Sequence, residues 1–350
     1  MNIRRSSPAT ALVGAMALGL TTLTACSFSP GDGRTDGKLD VVASFYPLQF
    51  LAERIGGNKI NVSTLTKPGV EPHDLDISPQ QTATLSKAGL VVYLKGLQPA
   101  VDRAIGQAEP RQVADAASYT TLENHGTEVD GHDHGGEDHG GEGHEEEAGH
   151  EGEAGHEEHG GDEGHEGHGH EAHAGDAGAD PHVWLDPVRY AEVAEGVGKA
   201  LEKADPDHAA FFKKNTAALV KELNTLDKDF RTGLKGRTTD TFVTTHSAFG
   251  YLSERYGLHQ ESIAGLDPES EPSPARMREL HSIVKKDKVR TVFFEALVSD
   301  RTARTLADDL HLKTDVLDPL EGIGTKSRGD DYLQVMRANL ASLRKALGAV

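Results

Sequence analysis

The sequence predicts an α/β protein, with two α/β lobes of mainly parallel sheets joined by a long rigid α-helix and interrupted by a disordered histidine-rich insert. Three observations carry this prediction. Short β-branched runs alternate with helix-patterned stretches on both sides of residue 206, as a parallel sheet covered on both faces requires. Residues 206–234 hold no proline after Pro206 and no glycine before Gly233. Within them Phe212, Leu219, Leu223, Leu226 and Phe230 recur at steps of seven, four, three and four, which is one face of a helix. At 1.5 Å per residue that stretch would extend ~43 Å, enough to bridge two lobes, although a surface helix packed on one lobe would share the periodicity. Finally, Glu123 to Asp180 hold 12 of the 19 histidines and 20 of the 56 acidic residues, with no lysine or arginine. Such a segment buries too little apolar surface to offset chain entropy, so disorder is expected from Asn124 to Ala179.

The elements follow in order. LDVVASFYPLQFLAERIGG reads as a strand and then a helix starting near Pro47 and stopped by Gly56 and Gly57. INVSTLT is a second strand leading into the loop KPGVEPHD. In SPQQTATLSKAG, Ser78 is the expected N-cap and Pro79 the first helical residue. LVVYL is a buried-type strand, LQPAVDRAIGQA a helix and RQVADAA a short strand. After the insert, residues 181–206 read as a helix. The second lobe repeats the alternation with strand TFVTTH, helix SAFGYLSERYG, a Pro/Ser-rich loop, helix RMRELHSIVKK, strand VRTVFFEAL, helix DRTARTLADDL, strand TDVLDPL and a last helix from about Asp331 to Leu347. Ligand chemistry is expected at the carboxyl ends of the strands, near the cleft between the lobes.

The ends of the chain bear on where it works. Basic MNIRR, an apolar run from Ala9 to Leu20 and then LTAC form an export signal over residues 1–25. Its apolar core falls short of the roughly 20 residues that span a bilayer. Cys26, after small residues, resembles the lipobox cysteine of bacterial lipoproteins, which implies an acylated residue held by membrane lipid. Residues 26–38 are expected to be a polar linker. With a single cysteine there is no intramolecular disulfide, so stability must come from a packed core. The remaining division is an N-terminal lobe over 39–205, containing the insert, a spine helix over 206–234 and a C-terminal lobe over 235–350. Outside Glu123–Asp180, 36 acidic residues face 36 basic ones, so the net charge of −20 belongs to that segment alone.

Imidazoles and carboxylates are the donors that borderline divalent cations prefer. In the insert, the HxH and HxxH spacings of His132 with His134, and of His165 with His168 and His170, together with His139 and His144, predict several weak, exchangeable metal sites. The bland reading is a solvated acidic linker. Outside it, His73 follows a strand, His182 precedes a helix and His246 ends the strand TFVTT, each at a place where a scaffold presents a ligand. Asp318 and Glu321 in VLDPLEG supply acids from a fourth such place. A tetrahedral site of three nitrogens and one oxygen would result, with bonds of ~2.0 to 2.2 Å. Taken singly, a histidine at a strand end is more often structural, and His208, His259, His281 and His311 are read that way.

The segments GVEPHDLDISPQ, DPHVWLDP, VTTHSAFGYL and LDPLEG resemble the metal-binding lipoprotein receptors of bacterial ABC transporters, in particular the zinc-binding subfamily. The resemblance covers nearly the whole mature chain. It implies the metal-receptor type of periplasmic-binding-protein-like fold, with His73, His182 and His246 as Zn2+ ligands. For the fourth ligand it favours Glu321, with Asp318 as second choice and Glu71 or water as further alternatives. It implies no catalysis: the protein would capture zinc outside the membrane and deliver it to an ABC transporter permease driven by a cytoplasmic ATPase. On this reading it is exported, lipid-anchored to the outer face of the cytoplasmic membrane, and monomeric, with no nucleic-acid partner. Manganese receptors of the family place a carboxylate where His246 stands, so three imidazoles favour zinc. Trp184 and Phe249 would wall the cleft, although core packing explains both equally well. Two other classes are a zinc hydrolase, for which no HExxH helix is present, and an extracellular adhesin, for which no host ligand is specified.

Overall fold

A computed structural model of the chain describes residues 32–125 and 179–349. The expected export signal, Cys26 and residues 126–178, with His132, His134, His139, His144, His165, His168 and His170, lie outside the described residues.

In the first sheet, β2 (Lys38–Ala43) is flanked by parallel partners β3 (Ile60–Thr64) and β4 (Leu90–Tyr93), and β4 carries β5 (Val113–Asp115). Three helices connect them: α1 (Tyr46–Gly56), α2 (Pro79–Lys87) and α3 (Pro99–Ala108). Ser78 caps α2 in a full capping box with Gln81, and Pro79 takes the first helical position. The segment expected to be a linker departs from that expectation. Arg34–Thr35 form β1, antiparallel to the start of β2 across the two-residue turn Asp36–Gly37, both left-handed (φ 52° and 75°). Arg34 then pairs with buried Asp205 at 2.8 Å.

The second sheet, ordered β7 (His259–Ser262), β6 (Thr241–Thr244), β8 (Thr291–Phe294) and β9 (Lys313–Val316), is parallel throughout. Helices α6 (Gly250–Tyr256), α7 (Pro274–Lys286) and α8 (Arg301–Leu310) link its strands, and α9 (Tyr332–Leu347) closes the chain. The strand β7, HQES, has no apolar alternation and was not anticipated. Its place is set by its ladder with β6.

Between the sheets lie α4 (Pro187–Ala204) and α5 (Ala209–Gly233). Two expected boundaries shift here. Residues 183–185 form a 3-10 turn before Asp186 caps α4, because Pro187 favours a helix start. Residues 206–208 form another before α5. The 25 residues of α5 extend ~38 Å. Their buried stripe is Phe212, Thr216, Leu219, Leu223, Leu226 and Phe230. Near its start Asn215 donates to Ile55 O in α1 at 2.9 Å, and near its end Phe230 stacks on Tyr256 of α6 at 5.0 Å. The helix thus bridges the two lobes. One apolar cluster runs across both lobes from Leu39 through Trp184, Tyr190 and Phe230 to Leu347, so a wide hinge rotation would expose surface that both lobes share.

Candidate metal centre

Four residues far apart in sequence meet where the lobes face each other. His73 sits in the loop after β3, His182 just before α4, His246 just after β6 and Glu321 in the loop after β9. The Nε2 atoms of His182, His73 and His246 lie 2.9, 3.1 and 3.3 Å from one oxygen, Glu321 Oε1. The three imidazoles are mutual neighbours, with centroids 5.4 to 6.2 Å apart. All four ligand atoms fall within 4.8 Å of one another. Three side chains are sealed from solvent, and His73 alone of the four keeps 14% exposure. Beside His73 a cavity of about 240 Å³ opens, lined from one lobe by Lys95, Leu97 and Pro181 and from the other by Leu266 and Asp267.

The far nitrogens are held as strictly. His182 Nδ1 lies 2.8 Å from Asp180 Oδ1, which also accepts the His182 amide at 2.9 Å. His246 Nδ1 lies 2.6 Å from Glu295 Oε1, which Thr245 Oγ1 also contacts. Each carboxylate fixes its ring with Nδ1 protonated and Nε2 directed inward, the arrangement that metal-ligating histidines use. Neither Asp180 nor Glu295 was singled out from the sequence. The available signals were an acid two residues before His182 and an acid ending an apolar strand.

Glu321 is positioned by an unusual backbone. Leu320, fully buried, adopts a left-handed φ of 61°, a conformation costly for a branched residue and tolerated where surroundings enforce it. Asp318 Oδ1 enforces it by accepting the Leu320 amide at 2.9 Å. Asn339 clamps the same turn, accepting the Asp318 amide at 2.9 Å and donating to Asp318 O at 2.7 Å. Trp184 Nε1 donates to Pro319 O at 2.7 Å and its ring lies 5.1 Å from His182. Asp318 therefore acts on the turn and stands outside the four-atom cluster. Phe249 lies in the core, edge-on to Phe242 at 6.3 Å. His208 pairs with Asp205 at 2.7 Å and His259 with Glu261 at 3.1 Å, away from the centre.

Electrostatics mark the same place. Burial pushes the imidazoles of His246 and His182 down, but neighbouring carboxylates outweigh it and hold both above the ordinary value: Glu295 and Glu321 for His246, Asp180 and Glu321 for His182. Burial raises Glu321, yet the histidines hold it well below the usual carboxylate range. Burial and the charge of Glu321 push Glu71 up to about 9, and burial pushes Asp318 up to about 6. His246 Nε2 and Glu321 Oε2 are buried with no hydrogen-bond partner among the described residues. Such atoms are costly unless a proton or a metal lies between them. A divalent cation among three imidazole nitrogens and one carboxylate fits the donor set.

Residues 41–346 match the family model described as zinc-uptake complex component A, periplasmic. The chain is 36% identical over 330 residues to the zinc-binding lipoprotein AdcA of Streptococcus pneumoniae, covering 92% of this chain and 58% of that relative. It is 33% identical to the high-affinity zinc uptake system protein ZnuA of Bacillus subtilis, with 92% and 93% covered. The Zn(II)-bound ZnuA-like domain of S. pneumoniae AdcA superimposes with a TM-score of 0.66 at 30% identity, over 89% of this chain and 99% of that one. The chain thus spans 58% of the length of the AdcA relative. By this match and these likenesses, the chain belongs to the zinc-uptake complex component A periplasmic family.

Proposed function

We propose that the protein is an extracytoplasmic zinc receptor that holds Zn2+ between His73, His182, His246 and Glu321 and passes it to an ABC-type membrane permease with a cytoplasmic ATPase. The convergence of three imidazole Nε2 atoms on Glu321 Oε1 carries this reading. Three nitrogens and one carboxylate suit zinc and close its coordination, which leaves no open position for hydrolytic water. His73, with its residual exposure beside the cleft cavity, is the ligand that meets the incoming ion first. The shared core favours local movement of the His73 loop over hinge closure of whole lobes. Acylated Cys26 would tether a monomer to the outer face of the membrane, and no described helix is long and apolar enough to cross it.

The insert would collect zinc in weaker sites near the cleft. Its flanks are pinned together, Asp180 N donating to Glu123 O at 2.8 Å, so removal of residues 126–178 should leave the lobe intact. Calorimetric zinc titration of the chain from Ser27 is expected to show one tight site plus weaker ones. Deleting 126–178 removes the weak sites that those residues supply and keeps the tight one, and adding His73→Ala removes the tight one too. Loss of the tight site on deletion alone would move the function into the insert.

Acid should weaken binding, and it should do so above the reference histidine value of about 6.5, because His182 and His246 are both raised. Zinc must displace those protons, roughly tenfold in affinity per pH unit for each one. Metal-free stability runs the other way. A raised histidine contributes fully below about 6.5 and loses that contribution as pH rises through its folded value. Depressed Glu321 contributes above its ordinary range and loses it only as pH falls further. Melting of the metal-free protein is therefore expected to drop over the pH range above about 6.5, with zinc abolishing the drop. A metal-free melting temperature that climbs over this interval would contradict the assignment.

A further inference from the structure

A second constellation lies at the foot of the histidine-rich insert, where His125 folds back onto the C-terminal lobe. Its Nδ1 lies 2.9 Å from Asp180 Oδ2, and its ring packs edge-on against Tyr251 at 4.3 Å. Gly250 makes the room, since a Cβ there would come within 2.3 Å of His125 Cβ. The ring is fixed on three sides. Its Nε2 faces two carboxylates from different parts of the chain, Glu254 Oε2 of α6 at 3.2 Å and Glu123 Oε2 at 3.9 Å. The three ligand atoms lie within 4.8 Å of one another.

Asp180 is an acceptor only, so a neutral His125 carries its proton on Nδ1 and turns the Nε2 lone pair toward two more acceptors. Three acceptors facing one point are reconciled either by a proton on Nε2 or by a metal cation between them. We propose that Glu123, His125 and Glu254 form a second divalent-cation site, of one nitrogen and two carboxylate oxygens, at the rim of the protein. The choice of zinc rests on the receptor reading above; the geometry of the site does not.

Charge and access fit a weak, exchangeable site. Glu123 spends its other oxygen on Arg189, whose guanidinium lies over the Tyr251 ring at 5.1 Å and donates to Thr121 O at 2.8 Å. That cation neutralises one carboxylate and leaves the cluster acidic. The side chains of Glu254 and Glu123 keep 55% and 36% exposure, so an ion reaches them directly from solvent. Asp180 links the two centres, with Oδ2 on His125 Nδ1 and Oδ1 on His182 Nδ1 at 2.8 Å. One buried carboxylate thus orients a nitrogen ligand of each. A proton competes for the same position. Burial lowers the His125 imidazole, but Asp180 and Glu254 outweigh that and hold it above its ordinary value.

Crystals of the full exported chain, equilibrated with buffered zinc near neutral pH and read at the zinc absorption edge, separate the two occupants. Two anomalous peaks are expected, one in the cleft and one ~2.0 to 2.2 Å from His125 Nε2. Glu254→Gln, on the exposed side of α6, should lower the second occupancy at fixed free zinc by at least roughly tenfold and leave the cleft peak unchanged. A wild-type cleft peak with nothing beside His125 overturns the proposal and makes an imidazolium the bridge between the carboxylates. A peak beside His125 with an empty cleft supports the second site and strikes the receptor reading instead.

Discussion

Glu321→Gln is expected to lower the zinc affinity of the cleft by more than roughly 100-fold, the upper end of what even an indirect partner of a metal ligand costs. Asp318→Asn is expected to change it by less than about tenfold. The contrast follows from geometry. Glu321 Oε1 is the common neighbour of three imidazoles, so glutamine there removes the negative charge that offsets the ion and leaves only a neutral amide oxygen as donor. Asp318 supports the Leu320 turn through Oδ1, and asparagine retains a side-chain oxygen able to accept the same amide proton. Calorimetric titration of both variants, with the insert deleted at 126–178 to remove the sites those residues supply, reads the difference in the tight site. Equal losses in the two variants would mean that Asp318 reaches the metal and that the four-atom assignment is wrong.

The second large effect concerns stability. Trp184→Ala should destabilise the metal-free protein by ~3 to 5 kcal/mol, the usual range for truncating a large buried aromatic. The ring is 2% exposed, lies edge-on to Phe45 at 5.0 Å and forms part of the core common to both lobes. The substitution also strands Pro319 O, whose partner is Trp184 Nε1, in the turn that presents Glu321. Zinc affinity should therefore fall as well, by roughly tenfold, through a residue that contributes no ligand. Urea unfolding followed by zinc titration tests both parts. A stability loss below about 1 kcal/mol would show that the cavity collapses or that Trp184 is peripheral to the core.

Much of this fold was legible because its signals are local. Pro79 after Ser78 and the stripe from Phe212 to Phe230 each report a helix without reference to the rest of the chain. Tertiary pairing prevailed where the local signal was poor. The polar strand β7 exists through its ladder with β6, and Arg34–Thr35 leave the expected linker because Asp36–Gly37 folds them onto β2.

The sequence by itself determined the alternation of strands and helices, the existence of one long helix, the concentration of charge in the insert and the candidacy of His73, His182, His246, Asp318 and Glu321. Only the tertiary structure decided how those candidates divide. It turned three Nε2 atoms onto Glu321 and set Asp318 to hold the Leu320 turn. It also brought Asp180 and Glu295 behind the rings and carried His125 to Glu254 across 129 positions of chain. Periodicity is written along the chain, whereas the direction of a ligand atom depends on χ angles and on partners that approach only when the two lobes pack.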